Sequence, residues 1–160
     1  MNKTTFTEDL ENNRLIAVRT FDAPVEKVWK AWSDPDILCQ WWAPKPYICK
    51  IDKMDFKVGG HWIYKMVGPE GDEHRGRMDY LEIDQHKKLE AEDYFVDEEG
   101  NASLDIPPMQ MFVKFETDGS STTVTTITTF ASAEAFKQMA EMGMAEGWEL
   151  ACNQLEELLV

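Results

Sequence analysis

The C-terminal segment carries an apolar stripe at helical spacing, and such a stripe needs an apolar surface to cover. The segment begins at Ser132, a good N-cap residue, has Glu134 in its first turn and continues to Leu159. The residues on the stripe are Phe136, Met139, Ala140, Gly143, Gly147, Ala151, Leu155 and Leu158. The sequence therefore predicts one long amphipathic helix. Its two internal glycines, at about 1 kcal/mol each relative to alanine, indicate a kink or a thinned helix wall.

The middle of the chain alternates apolar and polar residues with a period of two, which is typical of half-buried strands. Turn signals divide it into predicted strands at 47–54, 61–67, 74–83, 89–96, 109–116 and 122–130. Antiparallel hairpins are the natural connection between such segments.

An earlier segment, Arg14 to Phe21, predicts a first strand, and residues 1–13 predict a polar lead-in. Two short helices are expected next, one starting near Pro24 and one at Ser33 to Pro35. The order predicts a single α+β domain over residues 1–160, with the long helix covering the inner face of an antiparallel sheet.

The charge of the chain limits its partners. It has 30 acidic and 16 basic residues and a net charge of -14, a field that repels phosphates and disfavours nucleic acid.

We find no apolar run for membrane insertion and no secretory signal, and expect a cytoplasmic monomer or homodimer. Cys39, Cys49 and Cys152 lack metal-ligand spacing, so we expect no metal and no cofactor.

Alternation along the strands predicts the inner wall of the sheet, if the charged side chains point outward. The predicted inward residues are Trp62, Tyr64, Met66, His74, Gly76, Met78, Tyr80, Leu89, Ala91, Asp93, Phe95, Met111, Val113 and Phe115. Tyr64, Tyr80 and Asp93 are the polar groups of interest, with Tyr64 expected beside Met78 and Tyr80 near Asp93. Burial should raise the pKa of the Asp93 carboxyl. In one interpretation these side chains orient a ligand or act as a proton-transfer pair. In the other they form a structural hydrogen bond between tyrosine and aspartate in the core.

Other features leave two interpretations open. His74 guards the mouth of a cavity or is an ordinary exposed histidine near a hairpin. The many methionines form an adaptable wall or fill gaps in a core. We expect one of Trp41 and Trp42 to be buried and the other to lie at a cavity rim. The loop from Asp97 to Pro108 is the expected gate.

Five segments together resemble a known superfamily. They are TFDAPVEKVWKAWS at 20–33, DPDILCQWWAP at 34–44, MDFKVGGHW at 54–62, GRMDYLEID at 76–84 and MGMAEGWELACNQLEEL at 142–158. Their order and spacing resemble the START-like, or SRPBCC, superfamily, and within it the branch related to the C-terminal domain of the activator of the heat-shock-protein ATPase. The resemblance covers the chain from about residue 14 to residue 159.

The resemblance implies a helix-grip fold, in which a curved antiparallel sheet wraps the long C-terminal helix around a hydrophobic cavity. The superfamily includes lipid and hormone carriers, polyketide cyclases and aromatases, and co-chaperone domains, so the function must be argued from the site.

Three hypotheses result. The first, which we favour over catalysis, is binding of a hydrophobic or lipid-like small molecule by Trp62, Tyr64, His74, Met78, Tyr80, Asp93, Met111 and Trp148. The second is a cyclase or hydrolase that uses Asp93 and Tyr80. The third is a co-chaperone-like domain that binds a protein partner in a stress response.

Overall fold

The structure, a computed structural model, describes residues 2–103 and 105–160. Met1 of the predicted lead-in and Leu104 of the loop from Asp97 to Pro108 lie outside the described residues. The strands are β1 Thr5–Asp9, β2 Arg14–Phe21, β3 Ile48–Met54, β4 His61–Val67, β5 Glu73–Asp84, β6 Lys88–Phe95, β7 Met109–Thr117 and β8 Thr122–Thr129. The helices are α1 Val25–Ser33, α2 Pro35–Trp41, α3 Ala133–Glu141 and α4 Met144–Leu159.

The eight strands form one antiparallel sheet in the order β1-β2-β8-β7-β6-β5-β4-β3. The C-terminal helix α4 contacts α1, α2 and β2, and the main apolar core joins residues of these helices with the inner residues of the sheet. The α+β helix-grip architecture expected from the sequence is therefore confirmed. The predicted segments after residue 13 all form strands or helices, with ends that differ by a few residues.

The N-terminal segment differs from the expected polar lead-in. Residues Thr5–Asp9 form an edge strand that pairs with β2, and Phe6 packs on an apolar cluster that includes Leu15 and Phe136. The turn between the two strands contains Asn13 in the left-handed region, at φ 54°, which asparagine tolerates. The polar composition hid this strand because an edge strand has one neighbour and few buried side chains.

The C-terminal helix is two helices instead of one. Ser132 caps α3 as predicted, accepting a hydrogen bond from the Ala135 N–H at 3.1 Å. Gly143 then takes φ 84°, a left-handed conformation that ends α3 and starts α4. Two residues of the predicted stripe, Ala140 on α3 and Leu158 on α4, are exposed, whereas Leu159 is buried. Gly143 therefore produces the kink that the sequence indicated.

Two strand registers also differ from the expectation. The turn between β4 and β5 spans residues 68–72, so Tyr64 lies opposite Gly76, and Met78 lies opposite Trp62. A bulge at Leu81 places an extra residue in β5, so Tyr80 faces Ala91. Asp93 faces Met78 instead of Tyr80. The expected pairs Tyr64 with Met78 and Tyr80 with Asp93 were wrong, since turn length and a bulge decide register.

A buried arginine joins α4 to the sheet. The Arg19 side chain is 2% exposed, and its guanidinium donates hydrogen bonds to Asn153 at 2.9 Å and Thr4 at 3.1 Å. Its nitrogens also lie 3.5 Å from a Glu149 oxygen and 3.6 Å from a Glu156 oxygen. Because its partners come from α4 and from the segment before β1, Arg19 sets how α4 lies across β2.

Candidate functional site, a cavity between the sheet and the C-terminal helices

A cavity of about 220 Å³ lies between the inner face of the sheet and helices α3 and α4. Five strands contribute to its wall, namely β2, β4, β6, β7 and β8. The segment after α2 adds Trp42 and Pro44, and the helices add Met139, Met144 and Trp148. The wall is mostly apolar, and its polar side chains, besides the two tryptophans, are Tyr64, Asp93, Thr126 and Thr128.

Aromatic rings form one side of this cavity. Trp42 lies edge-on to Trp148 at 5.7 Å between ring centroids and to Tyr64 at 6.1 Å. Trp62 stands behind them, stacked on Tyr64 at 4.3 Å and edge-on to Trp42 at 4.9 Å. These contacts are typical of favourable aromatic pairs, so the rings that line the cavity are held in place from behind.

Gly76 makes room for the Tyr64 ring. The two residues are paired across β4 and β5, and a Cβ atom at position 76 would lie 2.5 Å from both Cζ and Oη of Tyr64. The end of the ring that carries the hydroxyl therefore lies over the bare backbone of Gly76. Burial, and then the charge of Asp93, raise the pKa of Tyr64 well above its ordinary value, so the hydroxyl keeps its proton.

Asp93 is the carboxyl group of the cavity wall. It lies on β6 between Met78 of β5 and Met109 of β7. Burial raises its pKa to about 7, and no hydrogen-bond partner within the described residues offsets that burial. A carboxyl in this setting changes its protonation state near neutral pH.

The Trp42 indole lies next to the Tyr64 hydroxyl, yet its buried N–H makes no hydrogen bond in the part of the chain that the structure describes. The geometry of the pair falls short of a hydrogen bond although the two groups are close. The Trp42 N–H is thus a buried polar group without a protein partner among residues 2–103 and 105–160, which is unusual. The Asp93 carboxyl, on a residue that is half-buried, also has no hydrogen-bond partner there.

The structure brings four of the predicted site residues to the cavity, namely Tyr64, Asp93, Met111 and Trp148. Trp62, Met78 and Tyr80 are buried on the predicted face but lie behind the cavity wall. Tyr80 packs edge-on against Phe56 at 4.9 Å, and burial raises its pKa. Tyr64 therefore takes the place beside Asp93 that the sequence interpretation assigned to Tyr80.

His74 lies outside the cavity. Its side chain is 56% exposed, its Nε2 atom is 3.3 Å from an Asp72 oxygen, and its ring is edge-on to Tyr47 at 5.6 Å. Alternation placed His74 on the inward face, but the end of β5 that it occupies, at Glu73 and His74, is exposed. The ordinary, exposed histidine is the interpretation that agrees with its position.

Several cavity residues were missed by the sequence analysis. Thr126 and Thr128 come from the threonine-rich strand β8, and Leu15 and Ala17 come from β2. Extending the alternation rule to these two strands would have found them, because β8 and β2 show strict alternation of buried residues. Gly147 also lines the cavity, and a Cβ there would meet only Pro44 Cγ at 3.7 Å. The helix wall is thus thinned where it passes the cavity.

A family model matches residues 22–160, and it describes the family as Activator of Hsp90 ATPase homolog 1-like protein. The chain belongs to this family. Membership confirms the resemblance inferred from the sequence, both to the START-like superfamily and to its branch related to the heat-shock-protein ATPase activator.

Solved structures of similar proteins agree with the assignment to this family. The chain is 32% identical to protein Ms6760 from Mycobacterium smegmatis, with a TM-score of 0.92 over 99% of this chain and 97% of that one. A protein from Arthrobacter aurescens is 36% identical, with a TM-score of 0.92 over 97% and 90%. A protein from Staphylococcus epidermidis is 30% identical, with a TM-score of 0.85 over 97% and 93%. The comparison with curated proteins finds no match.

Across residues 2–103 and 105–160, each helix is too short or too polar to cross a bilayer.

Proposed function

We propose that this protein binds a small hydrophobic molecule in the cavity between the sheet and helices α3 and α4. The cavity itself is the observation that supports the proposal. An apolar cavity of about 150 Å³ is large enough to bind benzene. The present volume of about 220 Å³ therefore suits a compound of one or two rings, or a short branched chain, better than a long lipid.

The composition of the wall supports a binding role. Met66, Met109, Met111, Met139 and Met144 line the cavity, and their unbranched thioethers repack around ligands of different shape. A core that only filled space would be close-packed with few voids larger than a water molecule. The methionines thus fit an adaptable binding wall.

Ligand binding can be tested with a panel of one-ring and two-ring aromatic compounds. Quenching or shifts of tryptophan fluorescence should report binding, because Trp42 and Trp148 line the cavity. A compound present at about 100 times its Kd should stabilise the folded state by about 2.7 kcal/mol, visible as a higher Tm.

A matched pair of variants locates the binding site. Thr128→Phe places a ring inside the cavity, whereas Thr125→Phe places the same ring on the outer face of the same strand. We expect the first variant to lose binding and the second to retain it. A full panel without any response, or equal binding by both variants, would contradict the proposal.

A second candidate function is proton-transfer catalysis on a bound molecule. It is favoured by the position of the Asp93 carboxyl in the cavity wall, where burial raises its pKa to about 7. Tyr64, and not Tyr80, is the hydroxyl that lines the cavity with Asp93. Turnover that survives Asp93→Asn unchanged would remove this carboxyl from any such mechanism.

The third hypothesis, a co-chaperone-like interaction with a protein partner in a stress response, rests on the family description and on the net charge of -14. It stays a prediction. An interaction of this kind through the acidic surface should weaken as salt concentration rises.

A further inference from the structure

The described residues that line the cavity bring an acidic group to it and no basic one. Asp93 and Tyr64 are the titratable side chains among its described lining residues, and the lining parts of β2, β7, β8, α3 and α4 contribute no charged group. Tyr80 and Cys49 lie near Tyr64, and burial keeps both protonated. A ligand carboxylate would therefore meet no cation here and would be repelled by Asp93.

Asp93 is half-buried, and its carboxyl has no hydrogen-bond or ion-pair partner among the protein residues that the structure describes. Buried carboxylates are normally paired with a cation or satisfied by several hydrogen bonds, because the cost of desolvation is otherwise large. An unpaired carboxyl that faces an apolar cavity is thus suited to pair with a charge that a ligand brings.

The aromatic side of the cavity also favours a ligand with a positive charge. Trp42 and Trp148 are adjacent at 5.7 Å, Tyr64 adjoins Trp42 at 6.1 Å, and Phe95 also lines the wall. Aromatic faces attract ammonium groups, with tryptophan the best of them. The net charge of -14 also raises the local concentration of cations around the whole molecule.

We propose, building on the ligand-binding function above, that the cavity selects a molecule whose apolar body carries one basic amine. The ammonium group pairs with the Asp93 carboxylate, and the apolar body packs against Trp42, Trp148 and the methionines. The Tyr64 hydroxyl accepts a further hydrogen bond from the ammonium group.

Three compounds of similar shape test whether the cavity prefers a positively charged ligand. They are naphthylmethylamine, which is cationic, naphthylmethanol, which is neutral, and naphthoate, which is anionic. Isothermal titration calorimetry at pH 8 compares them when Asp93 is mostly ionised and the amine is still mostly protonated. We expect the amine to bind at least about tenfold more tightly than the alcohol, the advantage of a charge-assisted hydrogen bond over a neutral one. Naphthoate should bind most weakly.

The pH dependence gives a second measurement on the unmodified protein. Because the amine pairs with the ionised carboxyl, its affinity should fall about tenfold between pH 8 and pH 6, through the pKa of about 7. At pH 7, amine binding should release about half a proton per site, measured from titrations in buffers of different ionisation enthalpy. The alcohol should show neither effect to this extent.

Asp93→Asn completes the test, since it should remove the advantage of the amine while naphthylmethanol still binds. An alcohol that binds as tightly as the amine, or an amine affinity that does not change with pH, would overturn this proposal and leave the ligand-binding function standing. Failure of all three compounds to bind would count against both.

Discussion

Replacing Asp93 by asparagine should make the stability of the protein less dependent on pH. The carboxyl has a pKa of about 7 when folded, against 3.8 for the same group in water, because burial penalises its charged form. At 1.36 kcal/mol per pKa unit, ionised Asp93 therefore costs the folded state about 4 kcal/mol.

The sign follows from the raised pKa. Below pH 3.8 the carboxyl is protonated in both states and the cost is absent. The cost grows as the pH rises from 3.8 to about 7, and it is complete above that range. Between pH 5 and pH 8 the wild-type protein should lose about 2.6 kcal/mol relative to the Asp93→Asn variant.

Urea unfolding at several pH values measures this difference. With an m-value of about 1–3 kcal/mol/M, the difference in unfolding midpoint between the two proteins should change by about 1–3 M from pH 5 to pH 8. The constant effect of introducing an amide cancels when the two pH values are compared. Glu92→Gln is the control, because it removes a charge from the outward face of the same strand. The difference in unfolding midpoint between this variant and the wild type should change much less from pH 5 to pH 8. A variant that follows the wild type in parallel at every pH would refute the reasoning.

Two further changes test the scaffold of the site. Gly76→Ala should cost about 1–3 kcal/mol by overpacking, because the new Cβ would lie 2.5 Å from the Tyr64 ring. Tyr64→Leu in that background should recover most of the loss in urea unfolding, and a purely additive result would contradict the contact. Arg19→Met should cost about 3 kcal/mol, the low end for breaking a buried ion pair, since Glu149 and Glu156 keep 29% and 14% exposure. A loss below about 1 kcal/mol would show that the arginine does not hold α4 in place.

Local patterns were sufficient for most of the secondary structure. The alternation from residue 47 onward predicted β3 to β8, and the Ser33 to Pro35 signal predicted α2, where the Asp34 side chain accepts a hydrogen bond from the Asp36 N–H at 2.9 Å. These features depend on neighbours in sequence, so the sequence alone contains the physical cause. The edge strand β1 lacks that local signal, since its pairing with β2 comes from the tertiary structure.

The candidate site was predictable only in part. Alternation identified Tyr64, Asp93 and Met111 as inward residues, because one face of each strand is buried. The same rule could not separate cavity residues from core residues such as Tyr80, since both point inward. That distinction depends on where the helical layer leaves space.

The amino-acid sequence by itself determined the order of the elements from β2 to β8, the inward faces of β4 to β7 apart from His74, and the presence of a carboxyl on an apolar wall. Periodicity and cap signals carry this information along the chain. Only the tertiary structure decided that Asp93 shares a cavity with Tyr64 and not with Tyr80. A turn of five residues and a bulge at Leu81 fix the register, and the break at Gly143 sets the path of α4 above it. Glycine marks the break at position 143 in the sequence, but the register of β4 to β6 and the path of α4 depend on how separate segments pack, which no local pattern encodes.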